Sequence, residues 1–318
     1  MGFSILGIFK KAGASGGSSV PDLKDQLMYD SGQVNLGANT VPLTPNVFSP
    51  YGKRNLKGMK LTLTVTETTG STAPSGNTPI ETVLKKFQLS SGKGSGSVLF
   101  NMDGTKNDIS IWARYLTFQG KYTPSTTPSG QAASDTYTYV WNLVIPYGIN
   151  FSDFDLRPEF ELNTLASLTT GSTALSSGTA RLQVYGTFTK EGVPTAILKA
   201  AQISNLGAGT QNLGYNYDKG VVIQSQFLQY GADANIDTIF FAANGETPEL
   251  PNIALQSLID REDTVYPVSG HVDGIVNLFT DPFNASGVTA LNIDFASAPA
   301  LLNGTSGILR EYWIEPRK

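Results

Sequence analysis

The chain has 318 residues, 22 basic and 26 acidic side chains, a net charge of -4 and no cysteine. That length admits two domains, each with a core of its own, while the missing thiols exclude disulfides, zinc-thiolate centres, iron-sulfur clusters and thiol nucleophiles, and the lack of any basic block argues against wrapping of nucleic acid by bulk charge. Only 15% of residues are charged, against 33 Gly and 17 Pro, a balance that favours strands joined by turns over long surface helices.

The first element is short. Phe3, Ile5, Leu6, Ile8 and Phe9 make an apolar run that ends in Lys10 and Lys11 and continues into the glycine-serine tether AGASGGSS. A spanning helix needs roughly 20 apolar residues. A secretory signal places its positive charge ahead of the apolar run. Leu6 stands where a myristoylation signal requires Ser or Thr. The run therefore reads as an arm that touches something outside its own domain.

Strand patterns follow. In KLTLTVTET, Leu61, Leu63 and Val65 share one face and Thr62, Thr64 and Thr66 the other, the alternation of a half-buried strand. After Asn107 and Asp108, either of which can cap a helix, Ile109, Trp112, Ala113 and Leu116 recur at helical spacing. TYTYVWNLVI predicts a strand whose apolar face is Tyr137, Tyr139, Trp141, Leu143 and Ile145; in RLQVYGTFT, Leu182, Val184 and Phe188 alternate with Arg181, Gln183 and Thr187. The words between these runs, such as SSGKGSGS and TTGSTALSSG, consist of turn formers. A turn signal at KEGVPT, residues 190–195, marks a boundary, and Leu255, Leu258 and Ile259 suggest a second, weaker helix after Asn252.

Candidate chemistry is sparse. His271 is the one histidine; Ser269 and Asp273 flank it in YPVSGHVDG, but they alternate along one strand, whereas a catalytic triad is assembled in space. FSDFDLRPEFEL carries Asp153, Asp155, Glu159 and Glu161. Such carboxylates suit a glycosidase pair or a calcium site, yet Arg157 among them and an apparent loop position favour a solvated turn with ion pairs. DGTKND, from Asp103 to Asp108, lacks the spacing of a calcium loop and reads as a turn and cap. Asn150, Asn284 and Asn303 head formal glycosylation acceptors, which mean nothing in a bacterial host. No Walker loop, dinucleotide fingerprint, metal-spacing motif or nucleophile elbow occurs. No catalytic, cofactor-binding or metal residue is assigned. Aromatic and basic residues do not interleave, so stacking on nucleic acid is unsupported.

An internal repeat decides the architecture. NLGANT at Asn35 returns as NLGAGT at Asn205, and KGMKLTLTV from Lys57 as KGVVIQSQF from Lys219. VLFNMDG from Val98 aligns with IFFAANG from Ile239, VWNLVIP with IVNLFTD (Asn142 on Asn277), and RLQVYGTF with ILREYWIE (Arg181 on Ile308). The five matches are collinear, and the offset between partners falls steadily, as longer loops in the first half require. Each half then holds about eight strands and a short helix, the count of a jelly roll. The expected fold is all-β: two tandem eight-stranded antiparallel jelly rolls with short flanking helices. An arm and tether occupy residues 1–22, the first roll 23–192 and the second 193–318.

Tandem rolls with internal pseudo-symmetry, an amphipathic arm and Gly/Ser/Thr-rich loops together resemble the double jelly-roll major capsid proteins of tailless icosahedral viruses, in particular bacteriophages with a membrane beneath the shell. The resemblance covers nearly the whole chain. It implies a non-enzymatic homotrimer whose six rolls form a near-hexagonal tile of a capsid lattice in the virion, made in the host cytoplasm, with strands roughly perpendicular to the shell. It implies no cofactor and no sequence-specific nucleic-acid binding. The arm would face inward. Phe3, Ile5, Leu6, Ile8 and Phe9 would enter the viral membrane's headgroup boundary or contact minor capsid proteins, with Lys10 and Lys11 meeting anionic headgroups. Trp112, Trp141 and Trp313 are candidate core or interface anchors. The competing class is a carbohydrate-binding or adhesive β-sandwich, a spike or lectin with its site on the loops. That class leaves the repeat and the apolar arm unexplained.

Overall fold

The computed structural model describes residues 20–48, 54–69, 77–78, 80–91, 98–106, 109, 111, 125–126, 136–145, 155–168, 175–193, 195–203, 207–214, 221–232, 236–243, 253–254, 273–277, 283–284, 288–295 and 307–315. The first half supplies β1 (Leu23–Asp30), β2 (Val34–Asn35), β3 (Val41–Leu43), β4 (Asn55–Thr69), β5 (Asn77–Thr78), β6 (Leu84–Ser91), β7 (Val98–Asp103), β8 (Ser125–Thr126), β9 (Thr136–Ile145), β10 (Leu156–Leu162) and β11 (Leu175–Thr189). The second supplies β12 (Thr195–Ile203), β13 (Gly209–Gly214), β14 (Val222–Gln229), β15 (Ile236–Ala243), β16 (Ile253–Ala254), β17 (Ile275–Asn277), β18 (Phe283–Asn284), β19 (Val288–Phe295) and β20 (Gly307–Glu315).

Pairing sorts these strands into two copies of one topology. In the first half the sheets run β1-β11-β4-β9 and β3-β10-β6-β7; in the second they run β12-β20-β14-β17 and β13-β19-β15-β16. Leaving aside β2, β5, β8 and β18 but keeping the two-residue β16, both halves read 1-8-3-6 and 2-7-4-5 in their own chain order. Four strands thus face four in each half, the arrangement of a jelly roll. The rolls share a sheet, because β7 pairs in parallel with β12, with Phe100 opposite Leu198. The result is one nine-stranded sheet through both rolls, counting β18 on β14.

Four of the five sequence matches fall on equivalent strands or connections: β4 with β14, β9 with β17, β11 with β20, and the segments leading into β3 and β13. The pairing of Val98 with Ile239 does not. β15, which holds Ile239, occupies the place of β6; the counterpart of β7 is β16. Adjacent strands of one sheet carry the same apolar alternation, so a short word slips by one strand at no cost.

The first core lies between the first roll's two sheets. Along β4, Met59, Leu61, Leu63 and Val65 are buried while the threonines between them stay partly exposed, as a sheet with one covered face demands. Tyr29 of β1 stacks on Phe160 of β10 across the sandwich (centroids 6.2 Å apart), Phe160 on Phe87 (5.1 Å), and Phe87 meets Phe100 edge-on (6.3 Å, 67°). β14 is different. Gln226, Phe227 and Leu228 are all buried in sequence. Adjacent residues of a strand point to opposite faces; Phe227 and Ile275 join the first roll's cluster, whereas Leu228, Val276 and, from β19, Phe295 are buried apart from it. The shared sheet is therefore covered on both sides where β14 and β17 run.

Helical geometry is present at Ile109 and Ile111, both buried. Asn107, Asp108, Trp112, Ala113, Leu116 and the second helical pattern (Leu255, Leu258, Ile259) lie outside the described residues. Trp141 and Trp313 sit in the middle of β9 and β20.

Candidate functional site

The arm residues Phe3, Ile5, Leu6, Ile8, Phe9, Lys10 and Lys11 lie outside the described residues, as do Asp153, Ser269, His271, Asn150 and Asn303. The rest of the acidic cluster is placed, and its local structure differs from the expected turn. Leu156–Leu162 is strand β10, with Leu156, Pro158, Phe160 and Leu162 inward and Arg157 and Glu159 exposed. Charges spaced by two around apolar residues are the outer face of a strand; the same residues read as a turn when their density alone is weighed.

The carboxylates there are tied to β6. Lys86 Nζ donates to Glu159 Oε2 at 2.7 Å and Lys85 Nζ to Glu161 Oε1 at 2.9 Å. Glu161 is held below the usual carboxylate range, first by a hydrogen bond from Thr40 and then by Lys85. These groups hold the chain's own strands together. Among the described residues, no group of three or more His, Asp and Glu is arranged to hold a metal ion. Asp103 caps its own turn, its Oδ1 accepting from the N–H of Thr105 at 2.9 Å and from the Thr105 hydroxyl at 2.6 Å.

A broader feature is the outer face of the β1-β11-β4-β9 sheet. Register aligns Leu27, Tyr185, Lys60 and Val144 in one row, then Asp30, Gln183, Thr62 and Asn142, then Arg181, Thr64 and Val140, then Thr179, Thr66 and Thr138. Lys60 Nζ lies 5.8 Å from the Tyr185 ring centroid, and the Thr66 and Thr138 hydroxyl oxygens are 3.4 Å apart. Leu27 and Val140 are 53% and 43% exposed, unusual for large apolar side chains on a polar sheet face. Gln33, Thr64, Thr66, Thr179, Arg181 and Gln183 line a depression in the same face. Among the described residues, no histidine stands on this face. It is long, spanned by the 15-residue strands β4 and β11, and suited to contact with another protein surface.

Sequence reading missed the ion pair at its edge, because the partners are 151 residues apart. Arg181 Nε donates to Asp30 Oδ1 at 2.9 Å and Arg181 Nη2 to Asp30 Oδ2; Gln183 Nε2 adds a bond of 3.1 Å and the Gly32 N–H one of 2.9 Å. The Arg181 guanidinium, above the other donors, holds the Asp30 carboxyl well below the usual carboxylate range. A carboxylate depressed in this way stabilises the fold above its unfolded pKa, near 3.9, and ceases to as pH falls through the folded value. Both partners are partly solvated, so Asp30→Asn is expected to cost about 1 kcal/mol or less at pH 7. The gap from the parent should narrow below about pH 4, measured by thermal unfolding at pH 7, 5 and 3. A gap unchanged at pH 3 would mean that the carboxylate's charge is not its source.

No family model matches the chain. No curated protein matches it in sequence. Solved structures do share its fold. The crystal structure of the STIV MCP covers 90% of this chain over 96% of its own at 11% identity, with a TM-score of 0.58. A chain from the atomic structure of Sulfolobus Turreted Icosahedral Virus covers 91% over 90% of its own at 12% identity, TM-score 0.57. The major capsid protein P2 from Bacteriophage PM2 covers 91% over 99% at 13% identity, TM-score 0.45. At such identities the likeness to the first two is one of fold.

Proposed function

We propose that this chain is the major structural protein of an icosahedral virus shell, working as a homotrimer whose six rolls make a near-hexagonal tile. The observation that carries the reading is the duplication itself: two rolls of one topology, fused through a continuous nine-stranded sheet. A three-fold assembly of such a chain presents six similar lobes, so closed cyclic symmetry of order three fills a lattice position of apparent order six. The fold shared with a chain from an icosahedral virus supports it. So does the exposed face bearing Leu27, Tyr185 and Val140, which would meet the next subunit. The function asks for rigidity and complementary faces, and no catalysis.

The N-terminal arm is the inner contact in this reading. Phe3, Ile5, Leu6, Ile8 and Phe9 enter a membrane's headgroup boundary or a minor shell protein, and Lys10 and Lys11 meet anionic headgroups. Five large apolar residues at ~2 kcal/mol each give on the order of 10 kcal/mol as an upper bound, before ordering costs. The tether ends at residue 22, the first roll at 192. The protein resides in the virion after synthesis in the host cytoplasm.

Negative-stain imaging of the purified protein tests this directly. Class averages should show three-fold particles with a hexagonal outline and six lobes. Two-lobed monomers at concentrations where a shell protein associates would overturn the reading.

A further inference from the structure

The depression in the outer face of the β1-β11-β4-β9 sheet encloses about 140 Å³. Thr64 and Thr66 of β4 and Thr179, Arg181 and Gln183 of β11 line it, with Gln33 from the bend between β1 and β2. β4 and β11 pair without a register shift from Ser177 to Thr187, so all of these but Gln33 stand on one regular ladder. Part of their hydrogen bonding is spent within the chain. Arg181 Nε and Nη2 donate to Asp30, Gln183 Nε2 donates to the same carboxylate at 3.1 Å, and the Thr66 hydroxyl oxygen lies 3.4 Å from that of Thr138. A guanidinium carries five N–H donors, and a carboxamide has an oxygen to accept with. Arg181 Nη1 and Gln183 Oε1 are therefore left for a ligand, and so, within the described residues, are the Thr64 and Thr179 hydroxyls and the Gln33 amide.

Charge decides what that ligand is. Asp30 neutralises Arg181 and the other lining side chains are uncharged, so a phosphate or carboxylate gains no net attraction here. A balanced set of donors and acceptors, set among threonine methyl groups, suits a molecule that carries hydroxyls on a ring of C–H groups. The enclosed volume holds one such ring and not a chain of them. The fold alone does not call for this polar set: the repeat places Ile308 where the first roll has Arg181, and Ile308 is 5% exposed. We infer that the depression is a binding site for a single neutral sugar ring, whose hydroxyls bond to Gln33, Thr64, Thr179, Arg181 and Gln183. The site is complete within one chain. It does not rest on the shell reading: three-fold particles that bind no sugar, or monomers that bind one, separate the two.

The test titrates the full-length chain with the methyl glycosides of glucose, galactose, mannose and N-acetylglucosamine, and with inorganic phosphate, followed by saturation-transfer NMR. At least one glycoside should bind with a dissociation constant in the millimolar range, as expected for so small a ligand, and phosphate should not. Thr64→Val and Thr179→Val keep the side-chain shape and remove the hydroxyl; each should raise that constant about fivefold. Thr187→Val, on the outer face of β11 but outside the depression, should leave it unchanged and serves as the control for folding. Three outcomes overturn the site: no glycoside binds, phosphate binds in preference to all of them, or both lining variants bind as the parent does.

Discussion

Phe87→Ala is expected to destabilise the first roll by about 3–5 kcal/mol. The ring is fully buried on β6, lies 5.1 Å from Phe160 at an interplanar angle of 10°, and meets Phe100 edge-on. Phe160 continues the chain to Tyr29 in the opposite sheet. Loss of the ring therefore removes buried apolar area and two aromatic contacts at once, and the close-packed sheets on either side cannot collapse fully into the gap. Phe100 stands opposite Leu198 at the strand pair that joins the rolls, so the damage extends to the junction. Equilibrium unfolding in urea, followed by intrinsic fluorescence, measures the change, with Phe87→Leu as a milder comparison expected to cost roughly 1–2 kcal/mol. A loss below about 1 kcal/mol for the alanine variant would mean that the ring stack is not a packed core.

Gly274→Ala is expected to cost about 2–5 kcal/mol, the sum of a left-handed backbone and an overpacked contact. Gly274 has φ of +76° and sits in the turn before β17; a Cβ there would lie 2.3 Å from the Gly231 carbonyl oxygen and 2.5 Å from its carbon. Those are backbone atoms and have no rotamer to escape into. The carbonyl of Gly274 accepts the N–H of Tyr230 at 2.8 Å, and the fully buried Tyr230 depends on that pairing. Gly32 supplies the contrast. Its φ is +64°, but a Cβ would meet nothing within 4 Å, so Gly32→Ala should cost only about 1–2 kcal/mol from the backbone term. Chemical unfolding of both variants separates the two contributions. Equal losses would show that the close approach to Gly231 carries no energy.

The fold was largely legible because jelly-roll strands are local patterns. The alternation in KLTLTVTET places Leu61, Leu63 and Val65 inward from sequence alone, since successive side chains of an extended chain must point to opposite faces. Collinear words identified the duplication, because the same strand in the same place needs the same alternation. That logic fails between neighbouring strands, and the word at Ile239 falls one strand away from its match at Val98. It fails again for β10, where Arg157, Glu159 and Glu161 looked like a loop until their spacing was set against Leu156, Pro158, Phe160 and Leu162.

Composition, periodicity and the internal repeat by themselves pointed to an all-β chain of two similar rolls, and the sequence holds no cysteine for thiol chemistry. Those properties depend on residue type and on spacing within one strand. The tertiary structure alone decided which charges are partners, that Phe227 and Leu228 serve different cores, and that β7 and β12 make two rolls into one sheet. Each of these depends on segments brought together from distant parts of the chain, and no local pattern records where a strand will find its neighbour.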